Sequence, residues 1–140
     1  MTLTIRLIEP GQGAAIVAAG ELFDSLPDLA TSARFLVTPG HHLLIAYEDD
    51  QPAGFVSGVE LTHPDKGTEM FLYELAVAEA FQRRGIGKAL VNALREIAQE
   101  HDCYDMWVLT DADNDAALAT YRATGTTAES SHVMLTWDRE

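Results

Sequence analysis

Apolar and polar residues alternate from Leu3 to Ile8, the period-two pattern of a half-buried strand, and Pro10-Gly11 ends it. From Gly13 to Asp24 the period lengthens. Ile16, Gly20 and Phe23 fall on one face of a predicted helix, and Pro27 interrupts it. Asp28 is placed to cap a second helix, with Leu29, Ala33 and Leu36 inward and Pro39-Gly40 closing the unit. Two strands follow, Leu43 to Glu48 and Ala53 to Leu61, joined by Asp49-Asp50-Gln51-Pro52, a hairpin signal. Gly54 and Gly58 predict bulges or close backbone approach. Beyond the turn-rich His63-Pro64-Asp65-Lys66-Gly67 lies a strand from Glu69 to Val77. Ile86, Leu90, Leu94 and Ile97 then recur at helical spacing and predict a helix to about Glu100. Asp102 ends it, and Tyr104 to Leu109 reads as a fifth strand. Asn114 can cap a last helix, Asp115 to Thr124, closed by Gly125. Thr126 to Trp137 supplies one or two short strands.

The order βααβββαβαβ predicts an α/β (α+β) fold, a mixed twisted sheet with helices on both faces. Strand, helix and strand in succession imply a parallel pair joined by a right-handed crossover. No repeat, linker or low-complexity segment divides the chain, so residues 1–140 are expected to form one domain.

Composition narrows the setting. A hydrophobic content of 47% suits a soluble globular protein, and no apolar run approaches a membrane span. The N-terminus lacks a charged-then-apolar signal pattern, and one cysteine, Cys103, allows no intrachain disulfide. A cytoplasmic protein without membrane partners is expected. The net charge of −13 disfavours nucleic acid. Arg83, Arg84, Lys88 and Arg95 nevertheless fall within one loop and helix, a positive patch on an acidic body. The acidic remainder would favour a cationic substrate, or serve solubility alone.

The patch surrounds Gln82-Arg83-Arg84-Gly85-Ile86-Gly87-Lys88. A helix start offers unpaired N–H groups at a positive dipole end, and glycines let an anion approach them. A Walker A loop would need Gly at Gln82 and Ser or Thr at Ala89; a dinucleotide fingerprint would need Gly at Leu90. Both fail. Gln82, Gly85 and Gly87 fit Gln/Arg-x-x-Gly-x-Gly/Ala, which resembles the acetyl-CoA loop of the GCN5-related N-acetyltransferases (GNAT). Glycines serving only the packing of a helix start are the alternative. The flanks extend the resemblance over nearly the whole chain, above all Leu75-Ala76-Val77 and Asn114…Ala117-Leu118-Ala119-Thr120-Tyr121…Gly125. Tyr73-Glu74-Leu75-Ala76-Val77 and the short ending after Gly125 look most like aminoglycoside 3-N-acetyltransferases.

The resemblance implies acetyl-CoA as cosubstrate, no metal, a small-molecule amine as acceptor and, as is frequent in the family, a homodimer. It implies that the strands around Glu74 and Tyr104–Leu109 splay apart. Leu75, Ala76 and Val77 would then present backbone to a pantetheine arm as to an added strand. The backbone of Arg83, Arg84, Gly85, Ile86, Gly87 and Lys88, after the loop-initial Gln82, would hold the pyrophosphate. Charge from Arg83, Arg84 or Lys88 could assist, or those side chains could simply be solvated. Asn114 could cap its helix, bind the pantetheine, or both.

Acetyl transfer to an amine needs a proton taken from the ammonium, a donor to the thioester oxygen and a proton for the leaving thiolate. Glu74, on the central strand, is the candidate base, acting directly or through water. It could instead orient the amine or serve as a structural carboxylate. Tyr121 matches the family tyrosine near the coenzyme sulfur and is the candidate acid, unless it is only a core tyrosine. The Leu75 N–H could polarise the thioester oxygen. Tyr73 could line the acceptor site or pack the strand. Asp111, with Asp113, Asp115 and Glu129, could attract a polyamine or aminoglycoside, or form a solvated helix start. A calcium loop would need Gly at Ala116 and Glu at Arg122, and both are absent. Cys103 lacks an indicated His partner for nucleophilic work. His41, His42 and His101 lack metal spacing and are expected in loops.

The reading is an acetyl-CoA-dependent N-acetyltransferase of a small cationic amine, with an aminoglycoside as the narrower expectation. A polyamine, an amino acid derivative or a protein N-terminus could replace it. A non-catalytic coenzyme A sensor is the competing class.

Overall fold

The computed structural model describes residues 2–139. Its sheet has five strands in sequential order: β1 (Leu3–Leu7), β2 (His41–Glu48), β3 (Gln51–His63), β4 (Gly67–Val77) and β5 (Met106–Val108). The first four form an antiparallel meander, and β5 joins β4 in parallel. The crossover between them carries α3 (Ile86–Glu100), and α4 (Asp115–Ala123) follows β5. Between β1 and β2 lie α1 (Gly13–Ala18), a single 3-10 turn (Gly20–Leu22) and α2 (Leu29–Val37).

Strand alternation sends side chains to two cores. Leu44, Ala46, Val56, Met70 and Leu72 meet Ile86, Leu90, Leu94 and Ile97 of α3 on one face. Leu43, Ile45 and Phe55 meet Ile16 and Leu36 of α1 and α2 on the other. Leu90 and Leu94 are wholly buried, and each such side chain contributes about 1.5–3 kcal/mol.

Several expectations change. The first helix is shorter than Gly13–Asp24, because the chain tightens at Gly20, where a Cβ would meet the Pro27 ring at 3.3 Å. The Asp28 cap forms, its carboxylate accepting from the Thr31 N–H at 2.8 Å. Ser32 and Leu36, rather than Leu29 and Ala33, are buried on α2; the latter two contact α1 beside Gly13 and stay exposed. His41 and His42 belong to β2, since their partners Val59 and Gly58 extend the ladder past the apolar run. The hairpin turn narrows to Asp49-Asp50, with Asp49 left-handed at φ 53°. Thr126 to Trp137 forms no strand: this segment pairs with no other part of the described chain.

Gly54 is required by close approach. A Cβ there would lie 2.8 Å from the Ala76 carbonyl oxygen and 3.2 Å from Leu90 Cδ1, where β3, β4 and α3 converge. The obstructing atom is backbone and cannot rotate away. Gly54→Ala is expected to destabilise the fold by about 1–3 kcal/mol, read as a lower urea midpoint at unchanged m-value.

Candidate active site

The site is built where β4 and β5 part. Their pairing covers only Met70–Leu72 against Met106–Val108, while β4 continues to Val77. The part of β4 beyond Leu72 therefore has an open edge. Ala78 donates its N–H to Ala53 of β3 at 2.8 Å. Backbone groups alternate along a strand, so those of Leu75 and Val77 point to the open side. Gln82 Nε2 donates to the Val77 carbonyl at 3.1 Å, tying the glycine loop to this edge.

A bulge sets the side chains. Ser57 of β3 faces Glu74 and Gly58 faces Leu72, which leaves Tyr73 without a partner. Leu72 and Leu75 consequently both face α3, and Glu74 turns to the opposite face with Ser57. Burial pushes the Glu74 pKa up, and the nearby Asp24 carboxylate pushes it further. The Ser57 hydroxyl lies near enough to oppose part of this shift, yet it is buried without a closed hydrogen bond. Asp24 was legible in the sequence only as a helix-terminal acid; its meeting with Glu74 comes from packing, where Phe23 stacks on Phe55 at 4.1 Å. The bulged Tyr73 is 62% exposed and lies 5.6 Å from the Phe71 ring, which stacks on Trp107 at 4.4 Å. The Trp107 indole nitrogen is buried without a partner.

The loop leading into α3 is left-handed at Arg83 (φ 66°) and at Gly85 (φ 80°), the residue preceding the helix. No side chain caps α3, and Ala89 makes the first return bond, to the Gly85 carbonyl at 3.0 Å. The N–H groups of Ile86, Gly87 and Lys88 thus remain at an open, positive helix end. Gly87 lets α4 come close: a Cβ there would meet Thr120 Cγ2 at 3.3 Å. This arrangement fits a pyrophosphate, and the open β4 edge fits an amide chain.

The basic patch divides on inspection. Arg84 reaches Glu48 at 3.6 Å and lies over the Phe81 ring, whereas Arg83 and Lys88 are exposed without an ion pair among the described residues. Arg95 donates to the Thr124 carbonyl at 2.7 Å, joining α3 to the end of α4. Asn114 caps α4 by accepting from the Ala117 N–H at 3.1 Å. Asp111 is exposed in the turn before it, its carbonyl accepting from the Asn114 N–H. Tyr121 packs half-buried against the α3-side core, and burial raises its pKa, so its phenol stays protonated at neutral pH. Tyr121 and Glu74 lie on opposite faces of the sheet, and the gap between β4 and β5 opens between those faces. Burial and the Glu60, Asp102 and Asp105 carboxylates raise the Cys103 pKa, which leaves it a poor nucleophile. At the far end of the sheet Glu60 bonds both His42 and His101, a cluster hidden from sequence because it joins β2, β3 and the residue that ends α3.

The chain belongs to the acetyltransferase (GNAT) family, whose model matches residues 16–125, and is accordingly an acetyl-CoA-dependent N-acetyltransferase. Its fold is similar to three solved structures. An aminoglycoside acetyltransferase, meta-AAC0020, from an uncultured soil metagenomic sample is 24% identical, with a TM-score of 0.91 over 99% of this chain and 97% of that one. Aminoglycoside N-acetyltransferase AAC(6')-Iy, solved with CoA, is 22% identical, with a TM-score of 0.81 over 99% and 95%. A ribosomal-protein-alanine N-acetyltransferase from Brucella melitensis biovar Abortus 2308 is 20% identical, with a TM-score of 0.74 over 96% and 100%. No helix among the described residues is long and apolar enough to cross a membrane.

The Asp24–Glu74 pair has a kinetic consequence. A base must be ionised, so a rate controlled by Glu74 falls as pH drops through its raised pKa. Asp24→Asn removes a charge that raises this pKa and is expected to move the acidic limb of the kcat/KM profile to lower pH. A limb unmoved by Asp24→Asn and still present in Glu74→Gln would place the base elsewhere.

Proposed function

We propose that this enzyme acetylates a primary amine of a small polycationic molecule, with an aminoglycoside as the leading acceptor, in the cytoplasm where acetyl-CoA is available. The observation that carries this reading is the partly buried Glu74 carboxylate beside the open edge of β4, with the charge of Asp24 near it. A cationic amine is drawn to this negative charge on binding. Phe71, Tyr73 and Trp107 offer aromatic faces on the same side of the sheet. Asp111 adds an acid at the rim. Two aminoglycoside acetyltransferases among the similar folds support the choice.

In this reading the pyrophosphate rests on the Arg83–Lys88 loop, with Arg83 and Lys88 adding charge. The pantetheine pairs with Leu75 and Val77, and Asn114 contacts it as well as capping α4. Glu74 accepts the ammonium proton, directly or through a water. The amine nitrogen attacks the thioester carbon, and the Leu75 N–H donates to the carbonyl oxygen as it gains charge. The C–S bond breaks and the Tyr121 hydroxyl gives its proton to the departing thiolate. Both substrates are held together, so no covalent enzyme intermediate is needed.

Thiol release from acetyl-CoA across aminoglycosides, polyamines and short peptides tests the acceptor. Turnover with aminoglycosides, with the product mapped to the 3-amino group, is the expected result. Turnover with peptides alone would replace it with the protein N-terminus reading, to which the ribosomal-protein enzyme is the structural pointer. Acetyl-CoA binding without any turnover would favour a sensor. For the acid, Tyr121→Phe is expected to lower kcat by about a hundredfold with little change in acetyl-CoA affinity by calorimetry.

A further inference from the structure

The Glu60 carboxylate gathers two imidazoles at one oxygen. His42 Nε2 lies 2.5 Å from Glu60 Oε2, and His101 Nδ1 lies 3.0 Å from the same atom. The three side chains bring their donor atoms within 4.8 Å of one another. The two rings meet edge to face, with centroids 5.0 Å apart, and each turns a nitrogen to the carboxylate.

The fold holds this group in place. His42 stands opposite Gly58, and Glu60 lies two residues further along β3, so both project from the α3 face of the sheet as diagonal neighbours. The Glu60 N–H donates to the Gly40 carbonyl at 2.9 Å, which fixes the backbone just ahead of His42. His101 ends α3, its N–H donating to the Ile97 carbonyl at 3.0 Å. The side chains of His42 and Glu60 are 12% and 17% exposed, whereas that of His101 is 44% exposed. Two donors are therefore held by the sheet, and the third leaves a way in from solvent. Among the described residues no Lys or Arg pairs with Glu60. Neutral imidazoles satisfy its hydrogen bonds but leave its charge uncompensated, in a chain whose net charge is −13.

We infer that His42, Glu60 and His101 form a binding site for one divalent transition-metal ion, zinc by preference. Zinc accepts mixed imidazole and carboxylate donors and imposes no planar geometry. Calcium and magnesium call for about six oxygen ligands or more and are poorly served by one carboxylate. Ligand atoms around a tetrahedral zinc lie about 3.3 Å apart, so the two N···O spacings open by less than about 1 Å to admit it. Each neutral ring then turns a lone pair to the ion and carries its proton on the far nitrogen. A water completes the coordination. The ion ties β2 and β3 to the end of α3 opposite the glycine loop. It takes no part in acetyl transfer, and the inference is independent of which amine is acetylated.

Zn²⁺ alone, added to the untagged full chain after chelator treatment, tests it. Calorimetry is expected to show one saturable site per chain at micromolar affinity, and the melting temperature is expected to rise with zinc concentration. His101→Ala, at the exposed end of α3, is expected to weaken zinc binding by at least about tenfold, since even groups behind the ligands are worth about 10–100-fold. Glu60→Gln keeps an acceptor for both imidazoles and removes the charge; it is expected to retain the far-UV spectrum and lose the zinc response. His63→Gln, in the separate pair of His63 with Glu69, is expected to leave zinc binding unchanged. A native chain with no saturable zinc binding overturns the proposal and leaves the cluster as a hydrogen-bonded staple. Zinc binding that survives both His101→Ala and Glu60→Gln overturns it as well.

Discussion

One unpaired residue in β4 organises the site. Without the bulge at Tyr73, strict alternation from Met70 and Leu72 would send Glu74 into the core against Leu90 and Leu94 of α3. A carboxylate there would have to stay neutral or unfold its surroundings. With the bulge, Leu75 takes the core position and Glu74 emerges on the opposite face beside Ser57 and Asp24. The same insertion falls where β5 stops pairing, so one departure from regular geometry both aims the carboxylate and leaves the strand edge open. The cost is an interrupted ladder, offset by the α3 side chains that bury both flanks.

Electrostatics then assigns the two ends of the gap. The body is acidic, and an anionic cosubstrate can bind only where that field is locally reversed. The reversal comes from backbone more than from side chains: α3 starts without a capping side chain, and two of the four clustered cations are engaged elsewhere, Arg84 with Glu48 and Arg95 with Thr124. Across the gap the sign is restored by Asp24 and Glu74. On the proposed reading, a positive helix end and the Glu74 and Asp24 carboxylates would sort the anionic cosubstrate from a cationic acceptor before any contact is specific.

The strands β1 to β4, the helix α3 and the caps Asp28 and Asn114 were legible because each depends on near neighbours in sequence. The bulge was read only on the β3 side, at Gly58, and the spacing of three between Leu72 and Leu75, where a strand would use two, went unread. Asp24 was not, because its role arises from a turn in the α1–α2 region set against β4. Nor was the Glu60–His42–His101 cluster, whose members come from three elements. The final segment misled for a different reason. Its alternation matches that of a strand, but a strand exists only through a partner, and among the described residues this segment has none.

On the proposed reading, the uneven coverage of the sheet leaves acceptor selectivity to one face. On the α3 side, strands and helix interlock through a continuous apolar core. On the other side, α1 and α2 pack chiefly over β2 and β3. Phe71, Tyr73 and Trp107, on β4 and β5, therefore share a surface that those helices leave largely uncovered. Polar atoms buried without partners gather on this face too: Ser57 Oγ, His41 Nδ1 and Trp107 Nε1. On that reading a change of acceptor would fall to substitutions on that face, with the α3 face and its loop kept.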